Sequence, residues 1–152
     1  MDYNEMLVKA QRLCAKSEKC AFDIRKKLQQ WEASEQDIEK AIDHLQTSGF
    51  IDHKRYARAF TRDKLKFNHW GRKKIEHALR MKGIESSCIE EALNTISEET
   101  YNAILREEIE KKDKTCQNRD YLQRKNKICN YLLQKGFESG KVFELVENKL
   151  KK

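Results

Sequence analysis

Apolar residues recur along this chain in pairs four residues apart, and the pairs themselves return at constant distances. Ile24, Leu28, Ile38 and Ile42 align with Ile75, Leu79, Ile89 and Leu93 at a shift of 51, and that second set aligns with Ile128, Leu132, Val142 and Val146 at a shift of 53. Two residues four apart share one face of an α-helix. Ten residues then pass before the next pair begins, so each set predicts two helices joined by a turn. The spacing repeats although the residue identities do not, which marks an internal repeat.

One more amphipathic stretch precedes each pair: Met6, Ala10 and Leu13 in the first copy, Tyr56, Phe60 and Phe67 in the second, Tyr101, Leu105 and Ile109 in the third. Three helices per copy predict nine in all, in repeats spanning 1–50, 51–96 and 97–152. Gly83 and Gly136 stand at equivalent places, where a left-handed residue would close the first helix of a pair. Ser86 and Ser139 are placed to cap the helix that follows. The first copy has Glu32 in place of the glycine, which predicts a differently built turn, with Ser34 and Asp37 as its capping pair. Asp52 and Ser97 are placed to cap the helices that open the second and third copies.

Composition sharpens this into an all-α fold. The chain is 38% hydrophobic and 38% charged, with no proline and five glycines, so little forbids helix and the core is thin. A tandem array of three-helix, helix-turn-helix-like repeats suits such a composition, because each layer need cover only its neighbour's face. Cys14, Cys20, Cys88, Cys116 and Cys129 are odd in number and include no C-x-x-C pair, which predicts reduced thiols filling helix faces. No apolar run resembles a leader or a membrane span, so a soluble cytoplasmic protein is expected.

The net charge of +7 is unevenly placed. From Asp52 to Lys82 eleven Lys or Arg face three acids, so this window alone carries more than the whole chain's excess. The sign inverts between Gly83 and Glu110, then returns positive from Lys111 to Lys135. Arg55, Arg58, Arg62 and Lys66 recur at three and four residues within one sector of a helix, and Lys73, His77 and Arg80 form a second basic line. Arg55, Arg58 and Arg62 have no acid at favourable helical spacing. Arg72-Lys73-Lys74 sits at a helix start, where positive charge is unfavourable, which points to an external anionic partner. The bland alternative is a solvated helix face.

Catalysis needs a cluster of groups, and none is legible. His44, His53, His69 and His77 fit no metal spacing, and no glycine loop could cradle a phosphate, so no metal, cofactor or enzymatic activity is expected. Glu90-Glu91, Glu98-Glu99 and Glu107-Glu108 read as solvated faces. Trp31 and Trp70 read as packing residues.

The order of several segments resembles the RecX regulators of the RecA recombinase. These are Gly49-Phe50-Ile51-Asp52-His53-Lys54-Arg55-Tyr56-Ala57, then Lys64, Trp70-Gly71-Arg72-Lys73-Lys74-Ile75 and Leu79-Arg80-Met81-Lys82-Gly83-Ile84. Lys26-Lys27-Leu28 and Tyr131-Leu132-Leu133-Gln134-Lys135-Gly136-Phe137 support it. His53, where the family commonly has an acid, and Trp31-Glu32, where it has a lysine-glycine turn, depart from the pattern. The resemblance implies an elongated, curved array of three-helix modules, monomeric, lying in the groove of the RecA filament on single-stranded DNA. There it would hinder ATP hydrolysis, strand exchange and the co-protease role in the SOS response. The contact surface expected on this basis is Arg55, Arg58, Arg62, Lys64, Lys66, Arg72, Lys73, Lys74, Arg80 and Lys82. The alternative is a module that binds nucleic acid directly, and a third reading is a structural adaptor using the acidic copy.

Overall fold

The computed structural model describes residues 1–151. Among the described residues the regular structure is entirely helical: α1 (Tyr3–Lys16), α2 (Ala21–Gln30), α3 (Glu35–Thr47), α4 (His53–Asn68), α5 (Arg72–Met81), α6 (Ser86–Asn94), α7 (Glu98–Asp113), α8 (Tyr121–Gln134) and α9 (Ser139–Leu150), with a short 3-10 turn at Lys114–Cys116. Two compact units emerge. The first takes Met1–Ala59 and Leu79–Glu91, and the second takes Phe60–Ala78 and the chain from Ala92 onward, so α4 and α5 supply residues to both.

In the first unit Met6 and Ala10 of α1, Ile24 and Leu28 of α2, and Ile38, Ala41, Ile42 and Leu45 of α3 form one core, closed by Ile51. Trp31 packs against its edge, as expected. In the second unit Tyr101, Leu105 and Ile109 of α7, Ile128 and Leu132 of α8, and Val142 and Val146 of α9 are buried, with the Tyr101 and Phe137 rings 5.5 Å apart. Of the twelve repeat positions, all but the half-buried Leu93 are buried, so the spacing reports the core register. Each such aliphatic side chain contributes about 1.5–3 kcal/mol on burial.

Asp52, Ser97 and Ser34 cap their helices, accepting from the backbone N–H groups of Arg55, Thr100 and Asp37 at 3.1 Å each. Ser86 and Ser139 do not cap. Both are the first helical residues, with Glu85 and Glu138 directly ahead of them. Ser34, Glu85 and Glu138 are equivalent under the shifts of 51 and 53. A carboxylate there suits the helix dipole, and it is drawn to other partners: Glu85 to His53 Nδ1 at 3.1 Å, Glu138 to Arg72 at 2.8 Å.

The first-copy turn, expected to differ, is built like the others. The carbonyls of the equivalent Leu28, Leu79 and Leu132 accept from Ala33 at 3.0 Å, Ile84 at 3.1 Å and Phe137 at 3.2 Å. Such a closure needs a left-handed residue just before the donor. Gly83 (φ 72°) and Gly136 (φ 95°) supply it without strain, and Glu32 adopts the same conformation at φ 60°. The buried Leu28 and Ile38 on either side hold the turn in register, so the core imposes a backbone that glutamate disfavours.

Phe67, expected on the apolar stripe of α4, is 73% exposed. The buried stripe runs through Ala57, Thr61 and Leu65, and each four-residue step turns about 40° around the helix, so by the last turn it has left Phe67 behind. Cys20, Cys116 and Cys129 are buried, and all five thiols are free.

Relief of the strained turn gives a direct check. Glu32→Gly should raise stability to urea by about 1 kcal/mol, whereas Gly136→Ala should lower it by more than about 2 kcal/mol. The second effect is larger because a Cβ on Gly136 would stand 2.4 Å from that of Lys74 as well as adopting φ 95°.

Candidate functional site

The basic residues of α4 and α5 divide by what they touch. In the second unit the start of α5 is seated on the end of α8. Gly71 N–H donates to the Lys135 carbonyl at 2.7 Å and Lys73 N–H to the Gly136 carbonyl at 3.0 Å, while Arg72 N–H donates to Tyr101 Oη at 3.0 Å. The open N–H groups that begin every helix are thus satisfied by a helix end of opposite polarity. The approach is so close that a Cβ on Gly71 would lie 2.3 Å from the Gly136 carbonyl carbon.

This seating answers why cations stand at a helix start. The Arg72 side chain, 20% exposed, donates to Glu98 at 2.6 Å and to Glu138 at 2.8 Å, with its guanidinium 3.9 Å over the Tyr101 ring. Burial opposes its charge, and the bonds to Glu138 and Glu98 outweigh that and push its pKa up. Tyr101 also bonds Glu138. Arg72, whose position at the helix start pointed to an external anion, is thus met by two of the chain's own carboxylates.

Other cations turn inward too. In the first unit Lys82 donates to Asp23 at 2.9 Å and to Tyr56 Oη at 3.1 Å; burial opposes its charge, yet these bonds hold its pKa well above the usual lysine range. Arg55 reaches Glu18 at 2.6 Å and the Gly49 carbonyl at 3.0 Å, tying the end of α3 to the start of α4. Arg58 pairs with Glu91, which Lys54 approaches at 3.3 Å, and Arg80 donates to Ser86 Oγ at 3.1 Å. Arg55 also has Asp52, three residues before it, at 3.7 Å, an acid that the helical spacing did offer, and tertiary packing adds Glu18 to Arg55 and Glu91 to Arg58.

The second unit keeps its outward charge. Arg62, 70% exposed, has its neighbour Asp63 at 3.5 Å. Lys66 and Lys73 are exposed, and among the described residues neither forms an ion pair. The Lys64 and Lys74 ammoniums converge on the Trp70 ring, at 4.8 Å and 4.5 Å from its centroid, and Trp70 packs edge-on against Phe60.

A residue the sequence reading placed on a solvated face proves to be a buried hub. Glu108 is 1% exposed, and His69 Nδ1 at 2.8 Å, Tyr131 Oη at 2.7 Å and Lys135 Nζ at 3.0 Å converge on it. Its spacing held the signal, since it follows Leu105 by three residues and so shares the apolar face of α7. Burial alone would raise its pKa, but the bonds from His69, Tyr131 and Lys135 outweigh burial and bring it down to about 2. Among the described residues, no group of His, Cys, Asp or Glu could hold a metal ion, and no helix is long and apolar enough to cross a membrane.

Comparison with known proteins agrees with the repeat. Residues 52–93 match the family model for the second three-helix domain of RecX, and residues 99–146 match that for the third. The chain is similar to the regulatory protein RecX of Clostridium acetobutylicum, 34% identical over 136 residues that cover 87% of this chain and 63% of the relative. It spans less than two thirds of the length of the curated relatives it matches. A crystal structure of regulatory protein RecX superposes with a TM-score of 0.84 at 25% identity, covering 96% of this chain and 73% of the other. The crystal structure of RecX from Lactobacillus salivarius gives 0.83 at 23% identity, covering 98% and 96%, a likeness of fold.

The Glu108 hub carries a pH dependence. A carboxyl whose pKa falls on folding stabilises while ionised, so its contribution is complete above the usual 4.5 and is lost as pH falls toward about 2. Glu108→Gln should cost about 3 kcal/mol in urea titrations at pH 7, because it removes the buried carboxylate and leaves the half-buried Lys135 ammonium unpaired. The gap between the two proteins should close between pH 4.5 and 2.

Proposed function

The chain belongs to the RecX family of regulatory proteins, and on that premise we propose that it regulates the RecA recombinase by binding in the groove of the RecA filament on single-stranded DNA. Occupying that groove would inhibit ATP hydrolysis, strand exchange and the co-protease activity of the SOS response. The protein acts in the cytoplasm as a monomer that performs no chemistry of its own, through repeats at 1–50, 51–96 and 97–152.

The observation that carries this reading is the outward charge of the second unit. Arg62, Lys66 and Lys73 project to solvent while Arg72 is neutralised from within. Exposed cations without tertiary partners steer and orient an anionic partner, here acidic groups of the recombinase or the phosphates it holds. Arg58 and Arg80, exposed but engaged, flank them in sequence; Arg55, Arg72 and Lys82 serve the fold first. The acidic copy is a weaker candidate, because Glu91, Glu98 and Glu108 already have cations from this chain.

A second reading, direct binding to single-stranded nucleic acid, is favoured by the exposed Phe67 ring with the Lys66 ammonium 5.4 Å from its centroid, a place for a base to stack.

RecA-dependent ATP hydrolysis and strand exchange on single-stranded DNA separate the two. The unmodified protein should inhibit both reactions. The Arg62→Glu/Lys66→Glu/Lys73→Glu variant should need at least about tenfold more protein for equal inhibition, a loss of about 1.4 kcal/mol. Tight binding to bare DNA that falls steeply with salt would favour the second reading, and no inhibition by the unmodified protein would remove the first.

A further inference from the structure

The second unit carries an open groove of about 470 Å³ whose floor is Thr61 and Leu65 of α4, Ile96, and Ile104 of α7. Arg62 and Lys66 stand along its α4 edge, and Ser97 and Thr100, at the first turn of α7, close one end. Among the described residues no carboxylate lines it.

Three properties point to the same kind of occupant. The floor is largely aliphatic, so it favours an apolar side chain over water, and the His69 ring that also lines the groove is held by Glu108. The α4 edge is cationic, with Arg62 and Lys66 both exposed along it. The third is a hydroxyl: Thr61 is 1% exposed, and its Oγ1 has no hydrogen-bond partner among the described residues. A buried hydroxyl without a hydrogen-bond partner is destabilising, and an acceptor entering the groove would relieve it.

We propose that this groove receives a short segment of a protein partner in which an apolar side chain is flanked by carboxylates. The apolar group sits on Leu65, Ile96 and Ile104. A backbone carbonyl of the segment accepts from Thr61 Oγ1, and its carboxylates meet Arg62 and Lys66. The inference rests on the reading above that the partner includes a protein, and adds to it a pocket that selects side chains where a basic face alone would select only charge.

The test is fluorescence anisotropy on the full chain with a labelled hexapeptide, Glu-Leu-Glu-Phe-Leu-Glu, beside a comparator in which serine replaces the apolar residues and a labelled oligothymidylate. The apolar peptide should bind at least tenfold more tightly than the serine comparator. Thr100→Trp, at an exposed position, should plug the groove and weaken binding at least tenfold, as should Arg62→Glu, with melting temperatures unchanged in both. Equal binding of the serine comparator, undiminished binding by Thr100→Trp, or preference for oligothymidylate would overturn the proposal. Parallel co-sedimentation with RecA filaments keeps the two readings apart. If the unmodified protein and Thr100→Trp sediment alike while the peptide fails to bind, the groove proposal falls and the filament reading stands. If the peptide binds as described and nothing sediments with filaments, the groove proposal stands and the filament reading falls.

Discussion

The second unit depends on the meeting of two helix ends. The N–H groups of Gly71 and Lys73 at the start of α5 donate to the Lys135 and Gly136 carbonyls in the turn that ends α8, and Gly71 and Gly136 permit an approach that any side chain would block. Opposed helix termini satisfy each other's open groups and partial charges at once. Arg72 is carried inward by that seating to Glu98 and Glu138, and Tyr101 is held between them. Lys73 and Lys74, next along the same helix, are left facing solvent. Which cation is engaged within the fold and which is left exposed differs within three consecutive residues.

The same partition governs the rest of the basic segment. Lys82 and Arg55 tie elements of the first unit together through Asp23 and Glu18. Among the described residues Arg62 and Lys66 have no comparable tertiary carboxylate. A row of like charges on one helix thus divides into side chains engaged by distant carboxylates of the chain and side chains left exposed, a division that helical spacing does not reveal. Glu108 makes the complementary point, since an acid in a charged run can be the most buried ion of its unit when three donors surround it.

The repeat persists as backbone geometry more faithfully than as residue chemistry. The turn after α2, α5 and α8 keeps one hydrogen bond and one left-handed residue, although glutamate replaces glycine in the first copy. The position before α3, α6 and α9 is a true serine cap once and a glutamate with distant partners twice. Core packing fixes where the chain must turn, and each copy meets that demand with a different residue.

The sequence by itself determined the helices, their register and the family, because these follow from spacings of three and four residues and from segment order along the chain. Asp52, Ser97 and Ser34 were legible as caps for the same reason, each acting over three residues. Only the tertiary structure decided that Arg72 turns inward, that Glu108 is buried, that Phe67 is exposed and that a groove opens beside Thr61. Those outcomes depend on partners such as Arg72 with Glu98 and Glu138, which stand 26 and 66 residues apart in sequence, and local periodicity carries no record of contacts made at that distance.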